Sequence, residues 1–420
     1  MVAYYRMPTF LERLLYYFLL PDLMAKIVYE ILLRIPAISV TQPKQYMFYG
    51  FLALEYVVAV LQPGSFKPSW PHVNKVIILL VIMIFHGILV GLWWGNPLAR
   101  MGIDTVNVLV VLANIVLLSD PYKVADTDFP RIFRYNRLYA IVMILLSIPA
   151  IMLNPASGVS VGGSTAGAVC MTILVTEIFV LKGPVHHMRV VIFTNLTLIL
   201  ATAPSWNRTA LVFCAAALII YLARIIGRHP FRVGYLALAS VAIVCVAFVA
   251  LPEDSGLYRR ITGLQNIDLS DRTGSIGERE AESDAVTDKI SALGKGAEIF
   301  GAGHGASYDV KYTWTWKFDY SNAHYGWVLF YLRYGFLGYL YMSAWIMFLV
   351  ATVVKRFRST DPACILVCLI ALWNIGYLGT YGYFSFFIAG LPFMRPARRN
   401  RPRLRHRLAI DTPSQLGTQP

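Results

Sequence analysis

The sequence predicts an all-α polytopic membrane protein with about 11–12 transmembrane helices and one large outward loop containing short helices. Three observations predict it. Only 14% of the 420 residues are charged, where a soluble chain carries about a quarter. Apolar residues make up 57% of the chain. Runs of them long enough to cross a bilayer recur along most of its length, with the charges gathered between the runs. Two or three soluble domains would suit the length but not these runs.

Taken in order, residues 1–44 form a first unit. Its stretch 9–36 is apolar enough to enter the bilayer, yet Pro21, Asp22, Lys26 and Glu30 interrupt it. An interfacial helix and a tilted, shielded crossing both accommodate such a segment. Residues 45–251 carry spans near 45–62, 75–95, 104–119, 137–154, 166–182, 189–203, 209–226 and 231–251. Residues 252–323 form the large loop. Residues 324–394 return to the membrane, with spans near 327–354, 361–378 and 380–394. The basic tail 395–420 turns polar beyond Arg407 and reads as disordered. Charges fill the N-terminus and no small-residue cleavage pattern follows them, so no removable signal peptide is expected.

The net charge of +14 is informative only once it is located. Lys and Arg collect in 120–137, 224–232, 355–358 and the tail, whereas 155–165 has none and 203–208 has only Arg208. Alternate connections therefore agree. They place the C-terminus in the cytoplasm and the connections 96–103, 155–165, 203–208 and 252–323 outside. The basic excess faces anionic membrane lipid, and no nucleic-acid partner is expected. Cys170, Cys214, Cys245, Cys364 and Cys368 all fall inside apolar runs and read as small core residues. Cys364 and Cys368 share a helix face but lack further ligands nearby, so no metal site is expected.

The outer loop differs from everything around it. Residues 252–323 hold 8 basic and 12 acidic residues, the composition of a soluble protein. The stretch 278–291 predicts a helix that buries Ala281, Ala285 and Ile290. Three outward segments carry polar groups that apolar packing does not require. Arg208, in SWNRTALVF, is either a snorkelling interface arginine or an anion-binding group. Arg279, in GSIGERE, is either a solvated charge paired with a neighbouring glutamate or a second anion-binding group. His324 stands where the loop re-enters the membrane, as a hydrogen-bonded structural residue or as a general base.

Other features have plainer readings. GAGHG, residues 301–305, lacks the strand–helix setting of a nucleotide loop and reads as a backbone turn. The aromatic run Tyr312, Trp314, Trp316, Phe318 and Tyr320 serves interface anchoring or stacking on sugar rings. Trp314, Trp316 and Tyr320 are the sugar-stacking candidates. Glu55, His86 and Glu177 are ionisable groups within spans, each expected to face other helices in a structural network or a transport path.

Four features then occur in order: Arg-Thr-Ala at the outer end of a span (Arg208), Ser-x-x-x-Arg in the loop (Ser275 to Arg279), Gly-x-Gly (Gly301, Gly303), and a His before a short helix and Gly-x-x-Gly (His324, Gly335, Gly338). In this order the chain resembles the O-antigen ligase and Wzy-type polysaccharide polymerase family of bacterial envelope glycosyltransferases, over roughly residues 190–375. It departs from the family's pattern in having no Trp shortly after the loop arginine and Tyr325 directly after the histidine.

The resemblance implies an inverting, metal-independent and cofactor-free transfer of glycan from undecaprenyl diphosphate at the periplasmic face of the inner membrane. Arg208 and Arg279 would hold the diphosphate, and His324 would orient or deprotonate the attacking sugar hydroxyl. The implied partners are the undecaprenyl-diphosphate-linked oligosaccharide, membrane lipid, and polysaccharide-export or chain-length-control proteins. Polymerisation of an exopolysaccharide or O-antigen is the favoured form of the reaction, and ligation to lipid A core is the alternative. A secondary transporter or lipid-linked sugar flippase is the rival class, disfavoured by the single asymmetric outer loop. A non-catalytic assembly scaffold stands behind both.

Overall fold

The computed structural model describes residues 71–119, 275–312, 316–321, 326–356, 362–376 and 390–394, with scattered helical positions between 131 and 242. The described residues are mostly helical. Helix α1 is Pro71–Trp93 and α2 is Leu98–Ser119, joined by a turn in which Gly95 takes φ +69. Val73–Trp93 and Leu98–Val116 are long and apolar enough to cross a membrane.

The packing of α1 supports that use. Val73, Val76, Leu80, Met83 and Ile84 are buried against neighbours. Ile78, Ile82, Phe85, Leu89 and Leu92 form a second, exposed stripe at the same helical spacing. A helix facing water would carry polar residues there, so an apolar second face calls for an apolar surrounding.

The described part of the loop 252–323 forms α3 (Ser275–Leu293), α4 (Lys295–Phe300), β1 (Tyr308–Lys311) and β2 (Trp316–Tyr320). Helix α3 covers the expected 278–291 and buries Val286 and Ile290, with Ala281 and Ala285 half-buried beside them. Gly294, at φ +93, separates α3 from α4. The antiparallel hairpin β1–β2 departs from the all-α expectation. Its cause is visible in each strand: Tyr308 and Val310 alternate with Asp309 and Lys311 in β1, and Trp316 and Phe318 alternate with Lys317 and Asp319 in β2, which is the period of a strand.

After the hairpin come α5 (Gly326–Tyr334), α6 (Phe336–Arg356), α7 (Pro362–Gly376) and a short 3-10 turn at Leu391–Phe393. One span was expected over 327–354. Gly335 at φ +59 divides it into two helices. Helix α5 is buried on nearly every side, and Val328, Leu329 and Leu332 complete a core with Val286, Ile290, Ala297, Tyr308, Val310 and Tyr312 of the loop. Helix α5 thus forms the floor beneath α3, α4 and the hairpin. Helix α6, like α1, leaves an apolar stripe exposed at Phe336, Leu340, Met347, Val350 and Val354.

The expected spans 75–95, 104–119 and 361–378 correspond to α1, α2 and α7. Helix α2 starts six residues early, so most of the connection 96–103 is helical. Arg131 and Tyr135, placed in the connection 120–137, are helical too. Cys364 and Cys368 are buried free thiols, as expected of core residues. The unit 1–44, the spans 45–62 and 189–203, and the tail 395–420 lie outside the described residues.

Candidate functional site

Arg279 is half-buried in the second turn of α3, because the helix begins at Ser275 rather than at the arginine. One turn on, Glu282 is 1% exposed and accepts a 2.6 Å hydrogen bond from the Tyr312 hydroxyl. Burial, and then this carboxylate, push the Tyr312 hydroxyl well above its ordinary pKa, which keeps it protonated as the donor. The helix carrying Arg279 is therefore pinned by a buried hydrogen bond to the residue directly after β1. Arg208, His324 and Trp314 lie outside the described residues.

The hairpin separates the remaining stacking candidates. Tyr308 pairs with Tyr320 and Val310 with Lys317, so β2 carries one extra residue, a bulge at 318–319. Asp319 takes φ +58 there, and its amide donates to Asp309 Oδ1 at 2.7 Å. Its carboxylate is held by Arg100 and by Ser307 Oγ at 2.6 Å. The Arg100 hydrogen bonds, and then that of Ser307, hold this carboxyl well below the usual carboxylate range. Because a bulge shifts the alternation by one, Trp316 and Phe318 stay on the outer face, their rings near-parallel and 5.9 Å apart. Tyr320 turns inward, edge-on to Tyr308 at 5.7 Å. Trp316 and Tyr320 do not share one sugar-binding face.

The Gly-rich loop is a packing device. Gly301, Gly303 and Gly305 all take positive φ, between +76 and +79. The amides of Ala302, Gly303 and His304 donate to the carbonyls of Leu332 (2.8 Å), Arg333 (3.0 Å) and Gly87 (2.8 Å). The Gly305 amide donates to Asp104 Oδ2 at 2.6 Å. All four amides are spent on the protein, and a phosphate would find none of them. The turn reading holds, and the loop threads between α1, α2 and α5.

A polar junction lies beneath this loop. Arg333, 5% exposed, places Nε 2.9 Å from Asp104 Oδ2 and donates to the carbonyls of Ala306 and Ser321. One guanidinium thus joins α2, α5, the Gly-rich loop and the exit of the hairpin. His304 bonds Thr105 Oγ1 through Nδ1 and the Tyr334 hydroxyl through Nε2, both at 2.9 Å. Asp104, His304, Phe330, Arg333 and Tyr334 line a small, partly open pocket.

His86 donates from Nε2 to the Phe300 carbonyl at 3.0 Å, so its Nδ1 accepts from the Tyr341 hydroxyl at 2.9 Å. Both of its ring nitrogens are thus engaged within the protein. Glu55 and Glu177, the other two in-span ionisable residues singled out, lie outside the described residues. Among the described residues, no group of three or more His, Cys, Asp or Glu side chains is placed to hold a metal ion. Sequence reasoning passed over Asp104 and Arg333, although both are charges set in apolar runs, the signal that marked Glu55 and Glu177. The sequence matches no protein-family model, and no curated protein matches it.

Proposed function

We propose that the chain is a polytopic inner-membrane glycosyltransferase that polymerises repeat units of an exopolysaccharide or O-antigen from undecaprenyl-diphosphate-linked oligosaccharide at the periplasmic face. One observation carries the reading. A charged domain, holding Arg279 on a pinned helix, is fixed to helices with exposed apolar faces by a buried joint at Asp104 and Arg333. Such a body suits a site at which a membrane-anchored diphosphate emerges into water.

The chemistry asks little more. The donor already carries a good leaving group, so the protein must stabilise its growing negative charge and activate a sugar hydroxyl. Arg208 and Arg279 neutralise the departing diphosphate through guanidinium hydrogen bonds. The acceptor hydroxyl oxygen attacks the anomeric carbon from the opposite side and the bond to the diphosphate oxygen breaks. This single displacement inverts the anomeric carbon, and the hydroxyl proton passes to His324.

The test is complementation with His324→Ala, Arg208→Ala and Arg279→Ala, each checked for normal membrane levels. Loss of long-chain glycan with accumulation of lipid-linked single repeats is the expected result. Polymerised glycan that never reaches lipid A would make the enzyme a ligase. Full activity in all three variants, with loss in Glu55→Gln, would overturn the enzyme reading in favour of transport.

A further inference from the structure

The outer loop returns to the depth of the helices before it reaches the hairpin. At the end of α4, the Phe300 carbonyl accepts the His86 Nε2 hydrogen at 3.0 Å. Four residues on, the His304 amide donates to the Gly87 carbonyl at 2.8 Å. Gly87 is six residues inside the Trp93 end of α1, about 9 Å at 1.5 Å per residue. The charged residues Lys295 and Glu298 come first in α4, and Ile299 and Phe300 end it.

Ile299 and Phe300 are 48% and 49% exposed at that depth. They are not isolated. The Phe300 ring meets His86 edge-on at 6.2 Å, and Phe85 and Leu89 flank His86 on the exposed stripe of α1. On the other side, a side-chain carbon on Gly335 would stand 2.7 Å from the Ile299 carbonyl carbon. Phe336 and Leu340, directly beyond Gly335, are exposed as well. Three elements thus expose apolar side chains around one junction.

Irregular backbone is tolerated at membrane depth only where its polar groups are satisfied by protein. This segment meets that condition. The Gly301 amide donates to the Ala297 carbonyl at 2.7 Å, and the next four amides donate to Leu332, Arg333, Gly87 and Asp104. The Gly301 carbonyl accepts from Trp94 Nε1 at 3.2 Å, and the Ala302 and His304 carbonyls accept from Asn96 Nδ2 at 2.7 and 2.8 Å.

We infer that residues 295–305 form a re-entrant segment of the outer loop, whose Ile299 and Phe300 side chains lie against the acyl chains of the surrounding bilayer. The inference rests on the membrane placement of α1 proposed above and is independent of glycosyl transfer. It changes what the loop is: a domain wedged into the membrane, with only α3 and the hairpin standing clear.

The experiment is site-specific photocrosslinking of the full chain in nanodiscs of phosphatidylethanolamine and phosphatidylglycerol, read by protein mass. Phe300→p-benzoylphenylalanine should yield a phospholipid adduct comparable to the same probe at Leu89, and several-fold above that at Lys289 on exposed α3. An adduct at 89 with none at 300 above the Lys289 level overturns the inference and leaves the membrane assignment of α1 intact. Absence at both 89 and 300 overturns the two together. If the Phe300 variant does not fold, the probe at Ile299 reads the same surface with the same outcomes.

Discussion

Gly335 packs against Gly301 so closely that a side-chain carbon on Gly335 would stand 2.5 Å from the Gly301 amide nitrogen. Both residues take positive φ, +59 and +79. Two glycines 34 positions apart therefore close one joint between the outer loop and the break before α6. Gly335→Ala should cost about 1–2 kcal/mol in backbone strain alone. It should cost more in total, since the new carbon meets backbone that cannot rotate aside. Gly95→Ala is the matched control: its φ is +69, but nothing lies within 4 Å. Thermal unfolding in detergent should show a clearly lower midpoint for Gly335→Ala, and equal midpoints would mean the joint does not constrain the fold.

Arg333 should be the most sensitive charge among the described residues. Arg333→Met leaves Asp104 without its cation and strands the carbonyls of Ala306 and Ser321. Breaking one side of a buried pair typically costs about 3–5 kcal/mol. Arg333→Lys keeps the charge but loses the fork, and should fall between wild type and Arg333→Met. Replacing both partners, as Asp104→Leu with Arg333→Met, should recover part of the loss because no buried charge is left unpaired. Limited proteolysis of α3 and the hairpin reads the docking directly, and unchanged cleavage in Arg333→Met would show that the pair does not hold the domain.

The helices were legible because each carries its own local signal, whereas the joints are made by residues distant in sequence. The apolar runs of α1 and α7 and the Ala281, Ala285 and Ile290 pattern of α3 announce themselves by composition and spacing. The hairpin carries a local signal as well, the alternation of Tyr308 and Val310 in β1 and of Trp316 and Phe318 in β2. Asp104 and Arg333 stood in the sequence as two unrelated charges. Their pairing depends on the Gly-rich loop threading between α2 and α5, a tertiary event that no local pattern encodes. The break at Gly335 belongs to the same class: the glycine was noticed, but its positive φ follows from the backbone of Gly301 lying against it.

Tyr320 and Trp316 should behave oppositely, although the sequence places them in one aromatic run. The bulge at 318–319 turns Tyr320 towards Tyr308, with the Lys317 ammonium 4.9 Å from its ring centroid. Burying a whole aromatic is worth about 3–5 kcal/mol, so the half-buried Tyr320→Ala should cost less, about 1–3 kcal/mol, and lower the amount of folded protein. Trp316 is 53% exposed on the outer face, and Trp316→Ala should change stability by about 0.5 kcal/mol or less. Membrane levels of the two variants decide the matter, with equal loss in both contradicting the bulge. The contrast also disciplines the functional assay: a glycan defect in Trp316→Ala at normal protein levels reports on a surface contact, whereas the same defect in Tyr320→Ala reports first on the fold.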